Sequence, residues 1–224
     1  MSEFVIGIDG PAGSGKSSVS KEVAASLGYG YLDTGAGYRA LTLFALRNPE
    51  LEVDGLLANF DYQISDDPES YWVRIGESDV TEEIRSAEVG ASVSNFSTNQ
   101  TIRDWMVADA QKRIKKCKSD GIVVEGRDVT TVIAPEAQLR ILLTADENVR
   151  LARRAGESQL DAEQLAETVS QRDEKDSALV EFMKPAKGVE LVDSTTLSFE
   201  HVVDRVLELV EHAIDDDEFE DEDF

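Results

Sequence analysis

The 224 residues include one cysteine and two histidines, and no apolar run approaches the roughly 18 residues that would suggest a membrane span. Cys117 alone cannot close an internal disulfide. His201 and His212 both lie near the C-terminal end. Zinc centres and Ser/His/Asp or Cys/His nucleophile systems therefore have almost no raw material. No membrane partner is expected. The opening MSEFVIGIDG lacks a basic n-region and enters a strand-like run directly, so a secretory signal is not expected and the cytoplasm is the expected location. Bases are scarce as well: 22 Lys and Arg face 46 Asp and Glu, a net charge of −24. Eight of the acids fall in residues 215–224, leaving 38 against 22, or −16, elsewhere. Neutralising phosphates needs excess base, so nucleic acid is not an expected main partner. The acidic stretch 215–224 reads as a disordered tail.

Hydrophobic residues make up 41% and charged residues 30%, the balance of a soluble globular chain. Phe4 to Asp9 is a short apolar run entering a glycine turn, the pattern of a buried strand. Val19, Val23 and Leu27 recur at helical spacing until Gly28. Further strands are expected at 29–33, 122–125, 139–145 and 189–192, with helices at 35–47, 146–154 and 161–177. Ser198 can cap a last helix whose Val203, Val206, Leu207, Val210 and Ile214 face the core. Strands alternating with helices predict an α/β fold with a parallel sheet covered on both faces. Residues 49–90 break that rhythm. Tyr71 to Ile75 reads as a strand of a small antiparallel sheet in an inserted lobe, continued by a helix over about 101–118. The expected division is a core of 1–48 and 111–214, with a lid at about 153–177, and a lobe of 49–110.

Gly10-Pro11-Ala12-Gly13-Ser14-Gly15-Lys16-Ser17 fits G-x-x-x-x-G-K-[ST] and lies between an expected strand and an expected helix. Glycines let successive backbone N–H groups turn inward around phosphate oxygens, and the helix end adds positive potential. Lys16 can reach the β- and γ-phosphates, and Ser17 can ligate Mg²⁺. The loop indicates a nucleoside triphosphate and magnesium without specifying the reaction. Two other expected strands run into Asp33-Thr34-Gly35 and Glu125-Gly126-Arg127-Asp128. Ligands of open α/β sheets bind at strand carboxyl ends, so the three segments should meet in one crevice. Arg39 and Arg127 there call for an anionic partner, which a second phosphate-bearing molecule supplies.

The segments IDGPAGSGKSSVS, YLDTGAGYRA, ESDVTEEIRSAEV, VVEGRDVTTVIAPEA, QRDEKDS and LVDSTTLSFE together resemble the bacterial cytidylate kinase family. They occur in family order over about residues 4–210. The resemblance implies a P-loop NTPase, adenylate-kinase-like core with a five-stranded parallel sheet, and an enlarged monophosphate-binding lobe. It implies Mg²⁺-dependent transfer of the ATP γ-phosphoryl group to CMP or dCMP in a monomer. By motif, Lys16, Arg39 and Arg127 act in catalysis. Gly10 to Ser18, with Arg153 and Arg154, bind ATP. Thr34, Arg39 and Arg127 hold the acceptor phosphate; Ser94, Arg103 and Asp128 read the cytosine; Arg172 and Asp176 hold the ribose. Ser17, and Asp33 through water, serve the metal.

Departures accompany the resemblance. Gly37 stands where Met or Ile is usual, and Leu179 stands where an arginine is expected three residues after Asp176. Asp79 and Arg85 read as structural within the lobe, Trp72 and Trp105 as packing residues, and Cys117 as a bystander thiol. Two other readings stay open: a P-loop kinase for UMP or a shikimate-like alcohol, and a nucleotide-binding module without turnover. Ser94, Arg103 and the long insert argue against the first.

Overall fold

The computed structural model of the chain describes residues 4–157 and 184–221. Five strands form one parallel sheet: β1 (Phe4–Asp9), β2 (Gly30–Asp33), β6 (Gly121–Gly126), β7 (Leu139–Thr144) and β8 (Glu190–Asp193), in the order β2-β6-β1-β7-β8. Every residue of β6 is buried, as expected of a strand covered on both faces. Helices α1 (Lys16–Leu27) and α7 (Phe199–Asp221) cover one face, where Val19 and Val23 meet Val202, Val206 and Val210. On the other face Ala110 of α5 (Gln100–Lys116) packs with Val124, and with Val129 and Ile133 of a wide helical turn (Val129–Ile133). Helix α6 (Glu147–Glu157) follows β7. Its Arg150, only 5% exposed, donates to the Ala12 carbonyl at 3.0 Å and so backs the loop after β1.

The lobe is built from α3 (Val53–Asn59), the antiparallel strands β3 (Tyr62–Ile64), β4 (Val73–Ile75) and β5 (Ser78–Asp79), a 3₁₀ turn (Glu83–Arg85) and α4 (Ala87–Ser97). It has its own apolar core, with Phe60, Val73, Val80, Ile84, Val89 and Val93. Phe60 stacks on Tyr62 at 5.1 Å and meets Trp105 at 5.7 Å. That core also takes Ala40 and Leu41 from α2 (Thr34–Arg47) and Ile102 and Met106 from α5. The boundary expected between 110 and 111 therefore falls inside a continuous helix, because α5 packs its first half in the lobe and its second half on the sheet. Tyr71 belongs to both cores, with the Lys21 ammonium 4.3 Å above its ring.

At the C-terminal end the expected boundary at 214 is not where the helix stops. Helix α7 continues to Asp221, into the segment expected to be disordered. Its packed part supplies the nucleus, and each further residue then needs only one more hydrogen bond.

Candidate active site

The loop after β1 keeps its shape through two glycines in the left-handed region, Gly13 at φ 78° and Gly15 at φ 89°. A Cβ on Gly13 would also stand 2.6 Å from the Arg150 carbonyl oxygen, so only glycine fits there. No side chain caps α1 at Gly15, which leaves the first N–H groups of the helix for a ligand. At the end of β2, Asp33 Oδ1 accepts the Ala36 N–H at 2.9 Å and so starts α2. At the end of β6, a Cβ on Gly126 would lie 2.5 Å from Thr34 Oγ1. The Thr34 hydroxyl donates to the Glu125 carbonyl at 2.8 Å.

These strand ends open on a crevice of about 300 Å³. The structure brings to it Ala12, Gly13, Gly15, Lys16, Ser17 and Ser18 from the loop and helix start. Facing them are Asp33, Thr34 and Arg39, and from farther along the chain Arg103, Arg127 and Asp128. Arg103 donates to Asp128 Oδ2 at 2.6 Å, with side chains 17% and 7% exposed. Burial pushes the Asp128 carboxyl up, and the Arg103 charge opposes that rise. Arg127 donates to the Gly10 carbonyl at 2.7 Å, and Arg39 to the Ile84 carbonyl at 3.1 Å.

Several expected residues sit elsewhere. Gly10, Pro11 and Ser14 shape the loop without lining the crevice. Arg153 holds the loop from outside, donating to the carbonyls of Ser14 at 3.2 Å and Ser194 at 2.8 Å. Ser94 does not line the crevice; Ser97, one turn along α4, does, and among the described residues its buried hydroxyl has no hydrogen-bond partner. Arg172, Asp176 and Leu179 lie outside the described residues, as does the expected lid beyond 157. The expectation that Arg85 is merely structural within the lobe is also corrected, because it lines the crevice. Asp79 fits the structural reading: its carboxylate is bound to the Thr81 N–H at 3.0 Å and hydroxyl at 2.7 Å.

Two acids that sequence reasoning passed over hold the site together. Asp9 closes β1 and is 3% exposed. Its Oδ1 accepts the Val129 N–H at 2.9 Å; its Oδ2 accepts the Thr130 N–H at 2.8 Å and the Thr130 hydroxyl at 2.7 Å. Burial raises its pKa against those bonds. Asp9 thereby fixes the segment that starts with Arg127 and Asp128. Glu125, 1% exposed, is the neighbour of Asp33 across the β2–β6 register. Residues paired across parallel strands share a face. Glu125 accepts the Tyr31 hydroxyl at 2.7 Å and a bond from Ser17. Burial, and then the Asp33 charge, raise its pKa; Lys16 lowers it. The one signal for Glu125 was an acid at the end of an otherwise apolar strand beside the phosphate loop.

A parallel sheet, a glycine-bounded loop ahead of an uncapped helix, and an arginine-lined crevice at the strand ends define a P-loop kinase. Solved structures agree on the fold: a gluconokinase from Sinorhizobium meliloti covers 98% of this chain and of its own with TM-score 0.52 at 16% identity. TT1252 from Thermus thermophilus covers 93% of this chain and 96% of its own with TM-score 0.53 at 18% identity. The Cytidylate kinase family model matches residues 6–212. A cytidylate kinase of Cutibacterium acnes is 41% identical over 93% of this chain and 96% of its own. One of Thermotoga maritima is 39% identical over 92% and 96%. The chain belongs to the cytidylate kinase family.

Proposed function

We propose that the protein transfers the γ-phosphoryl group of ATP to CMP or dCMP, giving ADP and CDP or dCDP, as a cytoplasmic, monomeric enzyme of pyrimidine nucleotide metabolism. One observation carries the choice of acceptor: the Arg103–Asp128 pair, joined at 2.6 Å, stands in the same crevice as the phosphate loop. The pair offers a donor and an acceptor to one base edge. Cytosine presents an amine that a carboxylate accepts, whereas uracil presents a carbonyl there, acceptor against acceptor. In this reading Arg172 and Asp176 hold the ribose.

The acceptor phosphate is already an oxyanion at neutral pH, so the reaction needs position and charge compensation more than a base. Thr34, Arg39 and Arg127 hold that phosphate. The loop N–H groups and Lys16 hold the donor's phosphates, with Arg153 and Arg154 on the ATP side. Lys16 acts most on the transferring group, where charge is spread in the transition state. Asp9 keeps Arg127 and Asp128 in register with the loop through its bonds to Val129 and Thr130.

Among the described residues, no group of three or more His, Cys, Asp or Glu can hold a metal alone. The Ser17 hydroxyl with the carboxylates of Asp33 and Glu125 is an all-oxygen set, which suits Mg²⁺ shared with nucleotide phosphates. Ser17 and Asp33, the latter through water, would hold the ion, with Glu125 behind Ser17. When bound, Mg²⁺ neutralises charge on the β- and γ-phosphates.

Steady-state phosphorylation of CMP, dCMP, UMP and AMP tests the reading. Leaving the buried pair unmatched costs roughly 1–3 kcal/mol per group, so kcat/KM for CMP should exceed that for UMP at least about tenfold. Equal use of the two would remove the assignment of Arg103 and Asp128.

A further inference from the structure

Behind the crevice, the lobe and the sheet meet around one ammonium group. Lys21 stands four residues after Ser17 on α1, so the two side chains share a face of the helix. Its Nζ lies 4.3 Å from the centre of the Tyr71 ring and 5.8 Å from that of Tyr31. Asp33 and Glu125 are near enough for their charges to act on it. Yet among the described residues Lys21 forms no ion pair with either acid. We propose that Tyr71 is a positioning residue for the magnesium site: its ring holds the Lys21 ammonium off the carboxylates of Asp33 and Glu125, leaving them to the metal. This inference rests on the proposed function, in which Ser17, Asp33 and Glu125 serve Mg²⁺. Neither Tyr71 nor Lys21 lines the crevice, so both act through the acids.

The backbone sets the ring in place. Ser65, 7% exposed, donates its hydroxyl to the Ser70 carbonyl and its N–H to the Trp72 carbonyl, each at 2.9 Å, so the chain is held on both sides of Tyr71. The carbonyl of Asp66 accepts the Tyr31 N–H at 2.8 Å and ties this part of the lobe to the edge strand β2. The Tyr71 ring then meets the Tyr31 ring at 5.7 Å, tilted by 59°. The Tyr31 hydroxyl is taken by Glu125 at 2.7 Å. The Tyr71 hydroxyl is buried and, among the described residues, has no hydrogen-bond partner. Tyr71 therefore offers Lys21 a π face rather than an oxygen.

Opposed forces act on the ammonium. Burial first, and then the positive charge of Arg85, lower its pKa, while Asp33 and Glu125 raise it. The ring attracts the cation without occupying a carboxylate oxygen. An ammonium seated on Asp33 or Glu125 would instead take the oxygens that a hard divalent ion, or the water bound to it, requires.

Calorimetry of ATP binding, in EDTA and again in excess MgCl₂, tests this on the full chain and its variants. The quantity read is the gain in ATP affinity that magnesium brings. Tyr71→Leu should cut that gain by about threefold to tenfold, the scale of one misplaced cation at a partly buried site. ATP affinity in EDTA should not fall. Tyr71→Phe keeps the ring and should keep the wild-type gain. Adding Lys21→Met to Tyr71→Leu should restore it, because the competing charge is then gone. Circular dichroism checks the fold, and Tyr71→Met is a second variant without the ring, flexible enough to fill the gap. An unchanged gain in a folded variant without the ring would overturn the proposal. So would a loss that Lys21→Met fails to restore, or one that Tyr71→Phe shares. A wild-type chain whose ATP affinity ignores magnesium overturns the metal reading together with this inference. A wild-type gain that survives loss of the ring overturns this inference alone.

Discussion

Glu125 shows a conflict between folding and function confined to one residue. The folded chain buries its carboxyl beside Asp33 and raises its pKa from 4.5. The folded state therefore holds that proton more tightly than the unfolded chain. The stability this contributes is full below the unfolded value and is lost as pH rises through the folded value. Glu125→Gln removes the ionisation while its amide oxygen can still accept from Tyr31. We expect the variant to melt higher than the wild type at pH 8, with the gap closing near pH 4. Turnover should fall at least tenfold, because Ser17 loses a charged partner. A lower melting temperature at pH 8 would show that the ionised carboxylate is net stabilising. Single residues also mark how far the sequence could be read. The phosphate loop was legible because its constraint is local: glycine at positive φ next to Lys16 and Ser17. Arg85 was not, because its place depends on Arg47 gripping Glu83 from 36 residues away. Ser97 was missed because the helix rotation that turns it into the crevice is not written in a serine-to-arginine spacing.

Among the elements, the sheet strands and their flanking helices were legible from apolar runs and helical spacing. The three short lobe strands were only partly so, since runs of two or three residues carry little periodicity. The last helix was placed by its valines, yet its end was misjudged. Val206 and Val210 are 0% and 1% exposed, and Ile214 is the last of the described residues that packs on the core. The acids that follow lie at a helix C-terminus, where negative charge opposes the dipole by about 0.3–1 kcal/mol each. Truncation after Ile214 should therefore leave the melting temperature unchanged or slightly raised, with CMP turnover intact. Truncation after Val202 removes the buried valines and should prevent folding, as judged by circular dichroism and soluble yield. A marked loss from the shorter cut would mean that the acidic end docks on the body.

At the scale of the whole molecule, a net charge of −24 works against compactness. Like charges repel more in the folded chain than in the expanded one, and salt screens them over a Debye length of about 10 Å at 0.1 M. Raising NaCl from about 0.05 to 0.5 M should raise the melting temperature by several degrees in calorimetry; a flat response would place the acids too far apart to couple. The same salt weakens phosphate contacts in the crevice, so stability and CMP affinity should move in opposite directions. The packing of α2 in the lobe core, and of α5 across the lobe core and the sheet, has its own consequence, for recombination. A crossover between relatives at 48 or 110 would join half of a packing surface to a foreign counterpart, and at 110 it would also cut a helix. The block that can pass intact from one family member to another runs from about Thr34 to Lys116, carrying Arg39, Arg85 and Arg103 together while leaving Lys16 and Arg127 behind.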